Sequence, residues 1–303
     1  MTDAAPGSSP HAALFDAAFM AKLEQLELIA RKVFASSTRG DRRSRRLGGG
    51  LEFADHRRYS PGDDFRNIDW NVYARLGKLL IRLFEEEEDL HVYVLVDTSG
   101  SMSASDGAKL VLARRLAAAL CWLTVAGLDR VDVGGFGASF DAQLTPARGR
   151  GQAFRCFARL AALAPSGVTS LGDAMTTFAN RHRHRGLVFV LSDLFAADGW
   201  QRGLDVLRHH RFEPVVVQLT DPRDHSPDMA AGDVTLVDSE TGERRDITLT
   251  PRLLARLKDT WTAFHADVMA GCKARAIPYV EARVGEDFDA IILGMMRQGG
   301  ILA

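Results

Sequence analysis

Residues 91–97 read His-Val-Tyr-Val-Leu-Val-Asp, and the five central positions are apolar without a break. A run this short, with no polar alternation, fits a strand covered on both faces, as in a parallel sheet held between helices. Further strands are expected at 131–136, 140–144, 187–191, 215–219 and 279–282. Helices are expected between and after them, at 108–126, 152–163, 171–181, 199–210, 251–276 and 288–297. Residues 234–237 and 245–249 flank Thr241-Gly242 and read as a hairpin inserted into this series. The alternation predicts an α/β fold, doubly wound around a mainly parallel sheet.

The N-terminal part follows a different pattern. Phe15, Phe19, Leu23, Leu26, Ile29 and Val33 recur near the helical period, so 15–34 is an expected amphipathic helix. A basic run from Arg39 to Arg46 contains a single acid, Asp41, and leads into Gly48-Gly49-Gly50. The acidic run Glu85 to Asp89 then precedes the first buried strand, whereas 79–84 reads as a strand of its own. These shifts place a boundary near Leu90, with a smaller N-terminal module over 1–90 and the sheet domain over 91–303.

Several function classes drop out on composition. Lys and Arg number 38 against 39 Asp and Glu, for a net charge of -1, which no globally basic nucleic-acid coat has. Cys121, Cys156 and Cys272 are odd in number and form no C-x-x-C pair, so neither a disulfide framework nor a zinc site is supported and a reducing cytoplasm is expected. The longest apolar stretch, 116–128, falls short of the roughly 20 residues of a bilayer span, and the start lacks a basic leader region. No P-loop, nucleophile elbow, H-E-x-x-H or dinucleotide glycine fingerprint is present.

Ligands of open α/β sheets bind at the carboxyl ends of the strands. Three polar clusters are expected there: Asp97-Thr98-Ser99-Gly100-Ser101, the 167–170 loop with Thr169, and Asp193 after the 187–191 strand. Asp97, Ser99, Ser101, Thr169 and Asp193 are all hard oxygen donors, of the kind that Mg²⁺ takes in a shell of about six. Two carboxylates balance the double charge and three hydroxyls add ligands without adding charge. Mn²⁺ and Ca²⁺ suit the same donors. An open position on such an ion attracts a carboxylate from a partner.

These elements, in this order, resemble the metal-ion-dependent adhesion site of the von Willebrand factor A fold, with Leu194 standing where many relatives have glycine. Upstream, the stretch 51–70 with Tyr59-Ser60-Pro61-Gly62-Asp63-Asp64-Phe65-Arg66-Asn67-Ile68-Asp69-Trp70, followed by Tyr73-Ala74-Arg75, resembles the signature of the bacterial domain-of-unknown-function family fifty-eight. The resemblance implies a non-catalytic, metal-dependent adaptor that works with a MoxR-type AAA+ ATPase, its metal face gripping an acidic residue of a partner. The other class that the site leaves open is a metal-dependent hydrolase of phosphate esters, which needs a general base beside the ion. His91 stands at the wrong end of its strand for that.

Other motifs have plainer readings. The 59–70 block is expected to be a structural clasp, with Pro61-Gly62 in a type II turn and Arg66 pairing with Asp63, Asp64 or Asp69. Arg39 to Arg46 lacks interleaved aromatics and reads as a solvated loop rather than a specific nucleic-acid site. The Arg181-His182-Arg183-His184-Arg185 run, like His209 and His210, reads as a solvated helix end. Met295-Met296 reads as core.

Overall fold

A computed structural model of the 303-residue chain describes residues 14–36, 47–48, 52–85, 91–127, 129–137, 140, 144–165, 167–196, 198–225 and 232–299. The basic run at 39–46, the glycines at 49–50 and the acids at 86–89 lie outside the described residues. The chain divides into two compact units, Phe34–Asp89 and the remainder, Met1–Val33 with Leu90–Ala303.

Helix α1 (Ala17–Ser36) belongs to the larger unit up to Val33, not to the small module to which the charge pattern assigns it. Its apolar stripe explains this. Phe19, Leu23 and Leu26 are buried, and the Phe19 ring meets Phe288 with centroids 5.7 Å apart. Buried Glu27 accepts a hydrogen bond from the Trp122 indole at 3.0 Å and pairs with Arg150. A carboxylate on that stripe needs such partners.

In the smaller unit, β1 (Leu47–Gly48) and β2 (Glu52–Arg58) flank β3 (Leu80–Glu85) in an antiparallel sheet, with the short helix α2 (Trp70–Leu76) between β2 and β3. Ser60 accepts the Asp63 N–H at 3.0 Å and Gly62 has φ +107°, the left-handed position that a type II turn requires. The acids of the block find other partners than the Arg66 guanidinium. Asp63 takes Arg57 at 2.8 Å, and Asp69 caps α2 while bonding His56 at 3.1 Å. Asp64 caps the short turn Phe65–Asn67 through the Arg66 backbone N–H.

The larger unit is a mixed α/β structure around a mainly parallel six-stranded sheet. In chain order it runs β4 (His91–Asp97), α3 (Ala108–Ala126), β5 (Arg130–Phe136), β6 (Thr145–Arg148), α4 (Arg150–Ala162), α5 (Leu171–Arg181), β7 (Leu187–Ser192), α6 (Trp200–His209) and β8 (Glu213–Thr220). The hairpin β9 (Gly232–Val237) and β10 (Arg244–Leu249), then α7 (Pro251–Ala274), β11 (Tyr279–Arg283) and α8 (Phe288–Gln298) complete it. Across the sheet the order is β11-β8-β7-β4-β5-β6, and only β6 runs antiparallel to its neighbour. The strand expected at 140–144 is instead β6, with Phe140 contributing one isolated bridge to Phe136. Pro146 donates no hydrogen bond, which suits an edge strand.

Val92 to Val96 are each no more than 1% exposed, as a strand covered on both faces must be. Ala117, Ala118 and Ala119 are fully buried, so α3 lies close to the sheet. Met295 and Met296 of α8 are also core. The chain leaves β4 for β5 on one side and reaches β7 on the other, so the carboxyl ends of β4 and β7 open where the strand order reverses.

Candidate metal centre

Asp97 is the last residue of β4 and is 1% exposed. One of its oxygens, Oδ1, accepts the Ser99 backbone N–H at 2.8 Å and the Thr169 hydroxyl at 3.2 Å. The other, Oδ2, accepts the Ser192 hydroxyl at 2.5 Å. Ser99 and Ser101 face each other with hydroxyl oxygens 3.0 Å apart. The loops carrying them are tied by backbone bonds from Gly100 N to Gly167 O (3.0 Å), Thr98 N to Phe136 O (2.8 Å) and Ser170 N to Gly137 O (3.3 Å). Residues 72 positions apart in the chain thus share one oxygen.

Asp193 follows directly after β7 and is also 1% exposed. It does not bond to the other four residues. Its Oδ1 accepts the Phe195 N–H at 3.2 Å, and its Oδ2 takes the ammonium of Lys109 at 2.8 Å. Burial, and then the charge of Asp193, push the Asp97 carboxyl up to about 6, against the opposing bonds from Ser192 and Ser99.

Lys109, 1% exposed near the start of α3, is a member of this site that the sequence motifs do not point to. Its Nζ also reaches Asp224 at 3.2 Å, in the turn Pro222–His225 after β8, and lies 5.5 Å from the Phe195 ring centre. Burial alone would lower the ammonium, but the charges of Asp193 and Asp224 outweigh it and hold it above its ordinary value. The rule that selects Asp97 and Asp193 also points to the acids after the 215–219 strand. Asp221 there is 1% exposed and held low by Arg223, which binds both of its oxygens.

The donor set fits a hard divalent cation on charge as well as on ligand type. Asp97, Asp193 and Asp224 set three carboxylates against the ammonium of Lys109, so the group carries two negative charges in excess when all are ionised. Buried carboxylates without compensating charge are costly. No group of three or more His, Cys, Asp and Glu is arranged to hold a metal among the described residues, so an ion here depends on the hydroxyls of Ser99, Ser101 and Thr169.

The sequence profile described as "Protein of unknown function DUF58" matches residues 55–263, which include both the capped turn of the smaller unit and this site. The chain belongs to the DUF58 family. Uncharacterized proteins of Mycobacterium tuberculosis and Mycobacterium bovis are 31% identical over 299 residues, covering 95% of this DUF58 chain and 92% of their own. Among solved structures, BatB from Bacteroides thetaiotaomicron matches 70% of this chain and 99% of its own, with 16% identity and a TM-score of 0.45. An aerotolerance-related membrane protein from Bacteroides fragilis matches the same shares, with 17% identity and a TM-score of 0.44.

In this DUF58 protein Leu194 adopts φ +65°, a left-handed backbone that explains why glycine suits the position. Strain there costs about 1–2 kcal/mol. The side chain is 2% exposed within a hydrophobic core cluster, and deleting a buried leucine costs about 2.7–5 kcal/mol. Packing therefore outweighs the strain.

Proposed function

We propose that the larger unit is a doubly wound, von Willebrand factor A-like domain whose metal-ion-dependent adhesion site makes this protein a non-catalytic adaptor. Asp97, Ser99, Ser101, Thr169 and Asp193 would hold Mg²⁺, or Mn²⁺ or Ca²⁺ in its place. The observation that carries the reading is the convergence of Thr169 and the Ser99 backbone on one buried oxygen of Asp97, beside a serine pair at 3.0 Å. When bound, the cation supplies an electrophilic position for a partner's carboxylate.

The surroundings favour gripping over turnover. The groups nearest the paired acids are hydroxyls and an ammonium kept protonated by two carboxylates, whereas His91 begins β4 at the opposite end of the sheet. The partner is a MoxR-type AAA+ ATPase or the protein that such a motor remodels, with no specific nucleic acid involved, and the place of work is the cytoplasm. The free, buried cysteines are compatible with that compartment, and no described helix is long and apolar enough to cross a membrane. On the smaller unit Phe65, Trp70 and Leu76 are each at least 60% exposed, an apolar surface of the sort that contacts partners.

Titration with Mn²⁺ and Mg²⁺ should show binding that Asp97→Ala abolishes, and a co-expressed MoxR-type ATPase should co-purify with wild type but not with Asp97→Ala or with chelator present. Absence of cation binding sinks the metal site. Equal recovery of the ATPase in every arm sinks the adaptor reading.

A further inference from the structure

The hairpin β9/β10 stands apart from the central sheet, and most of its residues are exposed. Its tip does not. A β-carbon placed on Gly100 would come within 2.3 Å of Ser239 O and 3.1 Å of Glu240 Cα. The tip is therefore packed directly on the residue between Ser99 and Ser101, and glycine is the residue that permits the approach. At this tip Glu240 Oε1 is buried and has no hydrogen-bond partner among the described residues. A buried carboxylate oxygen left unbonded is costly and calls for an explanation.

The tip is also rigid. The Asp238 carboxylate accepts both the Glu240 and the Thr241 N–H at 2.8 Å, Gly242 N bonds Asp238 O at 2.9 Å, and Asp238 N bonds Glu243 O at 2.9 Å. Gly242, with φ +72°, completes the turn. These bonds fix the backbone of Glu240 while leaving its side chain free to serve elsewhere. Burial and then the charge of Asp193 push the Glu240 carboxyl above its ordinary value.

We propose that Glu240 is the site's own carboxylate ligand, so that the hairpin closes the metal face from within and a partner's acidic residue binds by displacing it. This rests on the metal-site reading above. It accounts for a carboxylate brought to a site where carboxylates already outnumber the Lys109 ammonium. It also explains the hairpin's sparse packing, because an element with few buried residues of its own can lift without disturbing the sheet.

The test uses Mn²⁺ as probe on the full chain, with Glu240→Gln and Glu240→Ala beside wild type and Asp97→Ala. Loss of a ligand should weaken Mn²⁺ binding about 10–100-fold, the range seen when a metal site loses a supporting group. Water-proton relaxation per bound Mn²⁺ should rise in both variants, as water takes the vacated position, and added acetate should reverse the gain in the variants while leaving wild type unchanged. Mn²⁺ affinity and relaxation equal to wild type in both variants would overturn the inference while leaving the metal site standing. Failure of wild type to bind Mn²⁺ in a manner that depends on Asp97 would overturn both.

Discussion

The two ends of the central sheet both gather polar side chains, yet they balance them in opposite ways. At the amino end His91 pairs with Asp132, and the His91 and Tyr93 rings stack with centroids 4.3 Å apart. Tyr93 donates its hydroxyl to His184 O at 2.9 Å, and the His182 and Phe178 rings stack with centroids 4.6 Å apart. The histidines of the 181–185 run are thus partly used in packing, not simply solvated as their arginine neighbours suggest. The acid named there has a base beside it. At the carboxyl end the acids outnumber the single ammonium, and the hydroxyls around them are neutral. At the amino end the polar groups named bond to one another, whereas at the carboxyl end the carboxylates exceed the positive charge beside them, the kind of imbalance that marks a candidate functional site.

The largest effect expected from breaking this contrast comes from Lys109. Removing one partner of a buried pair strands the other charge, at about 3–5 kcal/mol. Lys109→Met should therefore lose about that much stability in chelator, measured by urea denaturation. Saturating Mg²⁺ should restore part of it, because the cation replaces some of the missing charge. A loss below about 1 kcal/mol would mean that Asp193 and Asp224 do not depend on the ammonium.

Asp97 sharpens the contrast through pH. Its carboxyl is held at about 6 in the folded protein, mainly by burial, against 3.8 as the ordinary value. For an acid raised on folding, the contribution is fully present below the unfolded value, near pH 4, and is lost as pH rises through about 6. At 1.36 kcal/mol per unit, the loss is on the order of 2–3 kcal/mol. In chelator, wild type should lose that stability between about pH 4 and 6, while Asp97→Asn shows a flat profile over the same range. Mg²⁺ should abolish the loss in wild type. The apo fold itself should persist in chelator, because the buried strands β4 and β7 owe nothing to an ion.

Where physical cues are local, the sequence is informative. The helices at 108–126 and 171–181 have the bounds read from periodicity, since apolar spacing is joined by glycine at both ends of the first and by Ser170 at the start of the second. β6 and β2 escape notice because Thr145–Arg148 is four residues with a proline and Glu52–Arg58 is mostly charged, so neither carries a buried-strand pattern. The site shows the same division. Asp97, Ser99, Ser101 and Thr169 are legible as a motif at strand ends, and their hydrogen bonds link Asp97 to Thr169 and Ser99 to Ser101. Lys109 is not legible, because its pairing with Asp193 spans 84 residues and its neighbours in α3 are apolar. Glu240 is hidden for a like reason: a hairpin tip is readable from Thr241-Gly242, but where the tip lands is set by tertiary packing alone.

Asp132→Asn isolates the amino end and gives the smallest of these effects. The substitution keeps the shape and one hydrogen bond to His91 but removes the charge. Asp132 is 9% exposed, so the bond is screened only in part. Hydrogen bonds to charged groups contribute about 1.5–3 kcal/mol, and the neutral replacement retains a share of that, so the loss should be about 1 kcal/mol in urea denaturation. The more telling measurement is Mn²⁺ affinity. Asp132 and Asp97 belong to paired strands, with Asp132 opposite Tyr93 and Asp97 opposite Phe136. Four residues of strand separate the two acids, at about 3.3 Å each, which lies beyond the about 4–6 Å over which one charge strongly shifts another. Mn²⁺ binding should therefore be unchanged in Asp132→Asn. A change of several-fold would mean that the two ends are coupled through the sheet, and that the His91–Asp132 pair contributes to the candidate metal site after all.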